Sequence, residues 1–388
     1  MNEIAQHNSL TEAVAGLPAA WYFDPAHQAR ELQTVCRNRW IYVCRSSLLP
    51  SPLSFRTVEI GDQSIVVLRD AQGALKAFHN ACRHRGSLLC KEREGRLGSK
   101  LLVCPYHQWS YAAEDGRLVR TTSFGEPKNF DRADYPLYKV ALAEWRGCVF
   151  INLDPRAVWS ETAAFQRFPD ALRRFPLEHM VVGRVWRTEI ACNWKAFWEN
   201  FNECLHCPNV HPELTALVPL YSRRIINTRD LPDWPEHEGS ADPKYRGGLR
   251  PGAETWSGDG SAQGHAIAAL SAEDLARGQA YASAWPAMFI GGYADHARIV
   301  RLLPLGPERV ELVAEWLFEQ SALDDEAYNP RNVIDFETLV MEQDGAACEL
   351  NQRGLHAAPF KHGVLMPEEY NLKRFHDWVR GAVEQSPQ

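Results

Sequence analysis

Short runs of alternating apolar and polar residues fill the chain from Phe55 to about Pro155: SIVVLRD, AQG and ALKAFHN, then SYAA, EDG and RLVR. Period-two alternation broken by Gly, Asp and Asn predicts a small all-β domain over this stretch. A helical connection is expected within residues 156–180. VVGRVWRTEI then predicts a strand leading into a helix that begins near Asn193 as its N-cap. Two further strand-like runs, ARIVRLLPL and RVELVAEWLF, flank Gly306-Pro307-Glu308, the composition of a hairpin turn. After Asn329 and Pro330, apolar Ile334, Leu339 and Val340 recur through a segment that stops at Gly354, which predicts a helix. Asn227 to His265 is rich in Pro, Gly, Asp and Ser, as in the long surface loops that often cover a site.

Length and composition bound the rest. At 388 residues, 45% hydrophobic and 23% charged, the chain suits two soluble domains, each burying its own core. A net charge of -7 gives no basic surface for nucleic acid. The start, MNEIAQHNSLTEAVAGLPAAWYF, lacks the pattern of a secretory signal, and no apolar run of about 18 residues follows, so a cytoplasmic protein without a membrane partner is expected. In that compartment the ten cysteines would remain thiols or bind metal.

Within the β domain, ACRHRG and LLVCPYHQW place Cys82-x-His84 and Cys104-x-x-His107 on two tight loops. Zinc sites usually gather their histidines after a Cys pair; here each loop supplies one Cys and one His. That mixture suits an asymmetric 2Fe-2S cluster with two thiolates on one iron and two imidazoles on the other. Cys90 belongs to neither loop and reads as a free thiol.

A second constellation lies in NWKAFWENFNECLHCPNVHPEL. Glu203 and His206 fall on one face of a helix, and His211 follows five residues later. An i, i+5 pair converges only where a helix is broken, and Pro208 and Pro212 supply the break. Two histidines and one carboxylate leave open positions on a mononuclear Fe(II), the arrangement of non-haem oxygenases. Glu342, Asp344 and Glu349 on the late helix are the carboxylate candidates, with Asp344 favoured because Gly345, Ala346 and Ala347 leave room beside it. Cys204 and Cys207 interleave with these ligands and lack the βαβ unit that would suggest a thioredoxin-type motif.

Both motifs, in this order and over nearly the whole chain, resemble the oxygenase component of Rieske non-haem iron oxygenases. The resemblance implies an α+β fold in which an all-β Rieske domain (residues 38–155) is inserted in a helix-grip antiparallel-sheet catalytic domain (156–388), with residues 1–37 packing against the latter. It implies a homotrimer fed by a separate flavin and iron-sulfur reductase, with Glu203 as the carboxylate bridging His107 of one subunit to His206 of the next. Aromatic-ring dioxygenases generally carry Asp at that position. Glu203, with the wording NWK, HCP and HPEL, is similar to the subgroup acting on quaternary ammonium compounds, and implies oxidative N-demethylation with O2 as co-substrate; hydroxylation of an aromatic acid is the alternative. A quaternary ammonium is held by aromatic faces, which makes Trp198, Trp256, Trp285, Phe289 and Tyr293 candidates for substrate binding, although core packing competes with that role at each.

Overall fold

The computed structural model describes residues 10–165 and 172–384. It divides into two compact units, one of Cys36–Ala164 and one formed by the chain on either side of it, up to Val35 and from Phe165 on.

The inserted unit is built from short antiparallel strands. Four of them, in the order Leu75–His79, Gln63–Arg69, Ser54–Ile60 and Glu94–Arg96, make one sheet. Leu101–Val103, Ser110–Ala112 and Leu118–Arg120 make a second, and Ala141–Trp145, Cys148–Asn152 and Ile41–Arg45 a third. Val66, Leu68, Phe78, Leu102 and Tyr111 form the apolar centre against which both Cys-His loops are set. The sequence places the end of this unit at Pro155, whereas the structure carries it to Ala164. The reason is aromatic packing: Trp159 lies 5.1 Å from the Trp40 ring and 4.9 Å from Phe150, and Glu161 accepts a hydrogen bond from Trp145 Nε1 at 2.8 Å.

The larger unit centres on a five-stranded antiparallel sheet in the order Val181–Ile190, Arg309–Phe318, His296–Gly306, Met288–Gly292, Ala280–Ala284. The helix Arg331–Leu355 covers one face, packing Val333, Met341, Cys348 and Leu355 with Val300, Leu302, Leu312 and Trp316. Strand alternation puts His296, Arg298, Val300 and Leu302 on that same face. The early segment docks here too: Val14–Pro18 pairs with His362–Leu365, and Glu31 accepts hydrogen bonds from Lys195 Nζ at 2.7 Å and Trp194 Nε1 at 2.9 Å.

Asn193 caps the helix Trp194–Phe201 by accepting from Lys195 N at 3.0 Å. This helix ends at Phe201, so Glu203 and His206 lie on the irregular turn beyond it and not on a helical face as the sequence suggests. The Pro- and Gly-rich stretch after Asn227 is not one open loop: it contains the short helices Trp234–His237 and Pro243–Arg246 and buries Thr255, Trp256 and Ser257.

Candidate functional site

The two Cys-His loops have the same backbone turn despite their different spacing. Gly86 N donates to Cys82 O at 2.9 Å and Cys82 N to Ser87 O at 2.8 Å; Gln108 N donates to Cys104 O at 3.0 Å and Cys104 N to Trp109 O at 2.8 Å. Each loop is closed by a residue in the left-handed region, Gly86 at φ +78° and Gln108 at φ +56°. The turns bring the buried Cys82 and Cys104 thiols within hydrogen-bonding reach of each other, and set the His84 and His107 rings 4.7 Å apart on the more open side. Two sulfurs at one end and two imidazoles at the other fit a cluster ligated asymmetrically. Burial raises the Cys82 thiol pKa. At Cys104 burial acts the same way, but backbone N–H groups of His107 and Tyr106 outweigh it and lower the pKa.

Tyr111 OH, missed in the sequence reading, lies 3.2 Å from Cys82 Sγ while accepting from Arg83 N at 3.0 Å, a hydrogen bond of the kind that tunes a cluster's potential. Cys90 stands apart as a buried thiol, pushed up to about 12 by burial.

In the larger unit His206, His211 and Asp344 present ligand atoms all within 4.8 Å of one another. Asp344 Oδ1 is 2.8 Å from His211 Nε2 and 3.4 Å from His206 Nε2, so both imidazoles turn the same nitrogen toward the carboxylate. The opposite nitrogens are each held: His206 Nδ1 is 2.6 Å from Glu203 Oε1, and His211 Nδ1 is 2.8 Å from Gln343 Oε1. Gln343 is itself fixed by donating to Glu213 at 3.1 Å. Holding Nδ1 from behind fixes the tautomer and ring angle that a metal at Nε2 requires. Burial disfavours a charged His206, yet Asp344 and Glu203 outweigh it and raise its pKa to about 9. These residues fit one iron with open coordination sites. Of the three carboxylates considered on the long helix, Asp344 is the one grouped with the histidines; Glu349 instead accepts from Ala191 N at 2.9 Å.

Cys204 and Cys207 are joined as a disulfide across a Cα separation of 5.0 Å, which corrects the expectation that all cysteines remain thiols or metal ligands. The turn that carries His206 folds back so tightly that residues three apart come within disulfide reach.

A cavity of about 580 Å³ opens onto His206, His211 and Asp344. Trp256, Trp285 and Phe289 line it, together with Phe201, Tyr281 and Tyr221, which were not singled out in the sequence. Trp198 and Tyr293 do not. Trp198 is fully buried in the core and donates Nε1 to Pro286 O at 2.6 Å, and Tyr293 OH is taken up by Arg298 and Tyr281 at 3.1 and 3.2 Å. Gln343, Arg298 and the three additional rings were missed because alternation and spacing report which face a side chain takes, not which faces meet.

Residues 39–131 match the model of the Rieske [2Fe-2S] domain, and residues 177–385 match that of the ring hydroxylating alpha subunit (catalytic domain). The chain belongs to the Rieske oxygenases. It is an oxidoreductase, the oxygenase component that in this family carries a 2Fe-2S cluster and a mononuclear iron. Among its relatives, the glycine betaine monooxygenase oxygenase subunit of Chromohalobacter salexigens is 30% identical over 95% of this chain and 85% of its own, and the chloroplastic choline monooxygenase of Beta vulgaris is 26% identical over 98% and 79%. Among solved structures, the quaternary ammonium Rieske monooxygenase CntA superposes with a TM-score of 0.71 at 19% identity, covering 98% of both chains. Naphthalene 1,2-dioxygenase from Rhodococcus does so at 0.69 and 19%, covering 96% and 95%, so the fold alone is shared by enzymes acting on very different molecules. No helix among the described residues is long and apolar enough to cross a membrane.

Proposed function

We propose that this Rieske oxygenase hydroxylates an N-methyl carbon of a small quaternary ammonium compound. The observation that carries the reading is the cavity: the route to His206, His211 and Asp344 is walled by the rings of Phe201, Trp256, Tyr281, Trp285 and Phe289. A quaternary ammonium has no N–H to donate, so ring faces are its natural partners, at about 0.5–2 kcal/mol each. The identity to a glycine betaine monooxygenase supports the same reading.

Cys82 and Cys104 would hold one iron of a 2Fe-2S cluster and His84 and His107 the other, while His206, His211 and Asp344 would hold a mononuclear iron, which when bound would supply reductive activation of O2. Two electrons, two protons and O2 convert N–CH3 to N–CH2OH and water. Breaking the C–N bond then releases formaldehyde, leaves the electron pair on a tertiary amine and frees the hydroxyl proton. The protein's part is to fix the ammonium on the aromatic wall and keep bulk water from the reacting carbon. Electrons come from a separate flavin and iron-sulfur reductase, and the working form is a cytoplasmic homotrimer in which Glu203 links His206 to the His107 of a neighbouring subunit.

The test is a panel of betaines, carnitine, choline and aromatic acids incubated with a reductase, NADH and O2. Formaldehyde in step with NADH from a quaternary ammonium supports the reading. Hydroxylated aromatic acid without formaldehyde supports ring oxidation instead and overturns it.

A further inference from the structure

The turn that presents His206 is closed by a covalent bond that the oxygenase chemistry does not use. Cys204 and Cys207 are joined as a disulfide, the one disulfide among the described residues, and the loop it closes contains only Leu205 and His206. Both cysteines line the cavity beside Glu203 and His206. Cys207 Sγ lies 3.9 Å from His206 Nε2, the nitrogen that faces Asp344. The same short loop carries other contacts of the site: the backbone N–H groups of Leu205 and His206 donate to Glu203 Oε2, and Cys207 O accepts from His211 N at 2.9 Å.

Two features separate this bond from a structural staple. A disulfide stabilises mainly by restricting the unfolded chain, and the gain shrinks with the length of the loop. With the two cysteines three residues apart, there is little to restrict. The bond also borders a cavity of about 580 Å³, large enough to admit peroxide or a small thiol, and disulfides within reach of such agents are the more readily reduced ones. Cys192 and Cys348 are the contrast: they lie within hydrogen-bonding reach of each other, do not line the cavity and remain thiols.

We infer that Cys204 and Cys207 form a reversible thiol-oxidation site that sets how firmly the mononuclear site holds iron. Closed, the bond fixes the Leu205-His206 turn, so the His206 ring and its Glu203 support stay in ligand position. Open, the turn is tied only by hydrogen bonds, and the ring loses that fixed position. To close the bond, one thiol gives up its proton and its sulfur attacks an oxygen of hydrogen peroxide, breaking the O–O bond and releasing water. The second sulfur then displaces hydroxide from the sulfenic acid so formed, and the two thiol protons end in two waters. Peroxide is what O2 becomes on gaining two electrons and two protons without a substrate to oxidise. To open it, a dithiol gives up two electrons and two protons by exchange through a mixed disulfide and becomes a disulfide itself. The inference rests on His206 as an iron ligand and not on the choice of substrate.

The test uses the whole purified protein, equilibrated in buffers of reduced and oxidised dithiothreitol. Alkylation with N-ethylmaleimide and peptide mass analysis then count the thiols at Cys204 and Cys207, with a tenfold change in the ratio of dithiol to disulfide expected for each step of about 30 mV. After the buffer is removed, a chelator should draw the mononuclear iron from the dithiol form about 10-fold faster than from the disulfide form, with the cluster's visible spectrum unchanged. Hydrogen peroxide should restore slow release. Cys204→Ser/Cys207→Ser should release iron at the dithiol rate in every redox buffer; the two wild-type forms decide the matter if this variant does not fold. A pair that never passes between dithiol and disulfide, or iron released at one rate from both forms, overturns the inference and leaves the ligand assignment standing. Iron absent from both forms overturns the ligand assignment and the inference together. Redox-dependent iron release without formaldehyde from any quaternary ammonium keeps the inference and overturns demethylation.

Discussion

Glu203 Oε1 sits 2.6 Å from His206 Nδ1, and Glu203 Oε2 also accepts from the backbone N–H of His206 at 3.4 Å, so one carboxylate holds both the ring and the main chain of a proposed iron ligand. Glu203→Gln keeps the shape and removes the charge. Iron content and the cluster's electron resonance signal are expected to stay at wild-type levels while turnover falls about 10- to 100-fold. A wild-type steady-state rate would refute the bridging role.

Gln343 holds His211 from behind as Glu203 holds His206. Gln343→Leu is therefore expected to weaken mononuclear iron binding about 10- to 100-fold, read as iron retained against a chelator, without altering the cluster's visible spectrum. Gln343→Glu, which keeps an acceptor, should restore most of the affinity.

The Lys195 ammonium is fully buried against Glu31, at 2.7 and 2.9 Å from its two oxygens. Burial raises the Glu31 pKa, but Lys195 and its other donors outweigh that and lower it overall. Glu31→Ala removes the carboxylate that offsets the buried ammonium, leaving it with Trp21 O at 2.9 Å but no counter-charge from Glu31, and should cost about 3–5 kcal/mol in urea unfolding. A loss below about 1 kcal/mol would mean that the early segment is not held by this pair.

Stability should fall in alkali through His296. The ring is fully buried, with Nδ1 at 2.7 Å from Asp295 and Nε2 at 3.5 Å from Glu337, and with Arg298 on the same strand face. Burial lowers its pKa, but Asp295 and Glu337 outweigh this and raise it to about 9 from an ordinary 6.5. The folded state thus holds a proton that the unfolded chain releases. This stabilisation is complete below pH 6.5, declines above it and is gone beyond about pH 9. His296→Gln should flatten the Tm profile across that window; a wild-type slope would assign the effect to another group.

Much of the fold is legible from local pattern. Asn193 is an N-cap because its side chain accepts from a nearby backbone N–H, which depends on residues two apart. Arg298 was open to detection as well: in ARIVRLLPL it shares a strand face with Val300 and Leu302, an unusual position for a charge. Trp198 shows the opposite case, because an aromatic residue beside the His206 motif in sequence packs into the core as readily as it lines a pocket.

The two metal motifs and their order are legible in the chain alone, because Cys-x-His, Cys-x-x-His and His206 with His211 are spacings set within short local segments. Folding is what brings Asp344 to 2.8 Å from His211 Nε2 and sets Gln343 behind His211, while Glu349 turns to Ala191. It alone brought Arg298 and Trp256 to the lining of one cavity. These pairs join a helix to a turn, and a strand to a distant loop. Which of their faces meet depends on how the sheet, the long helix and the 227–265 stretch bury their apolar sides together, a packing that no local spacing records.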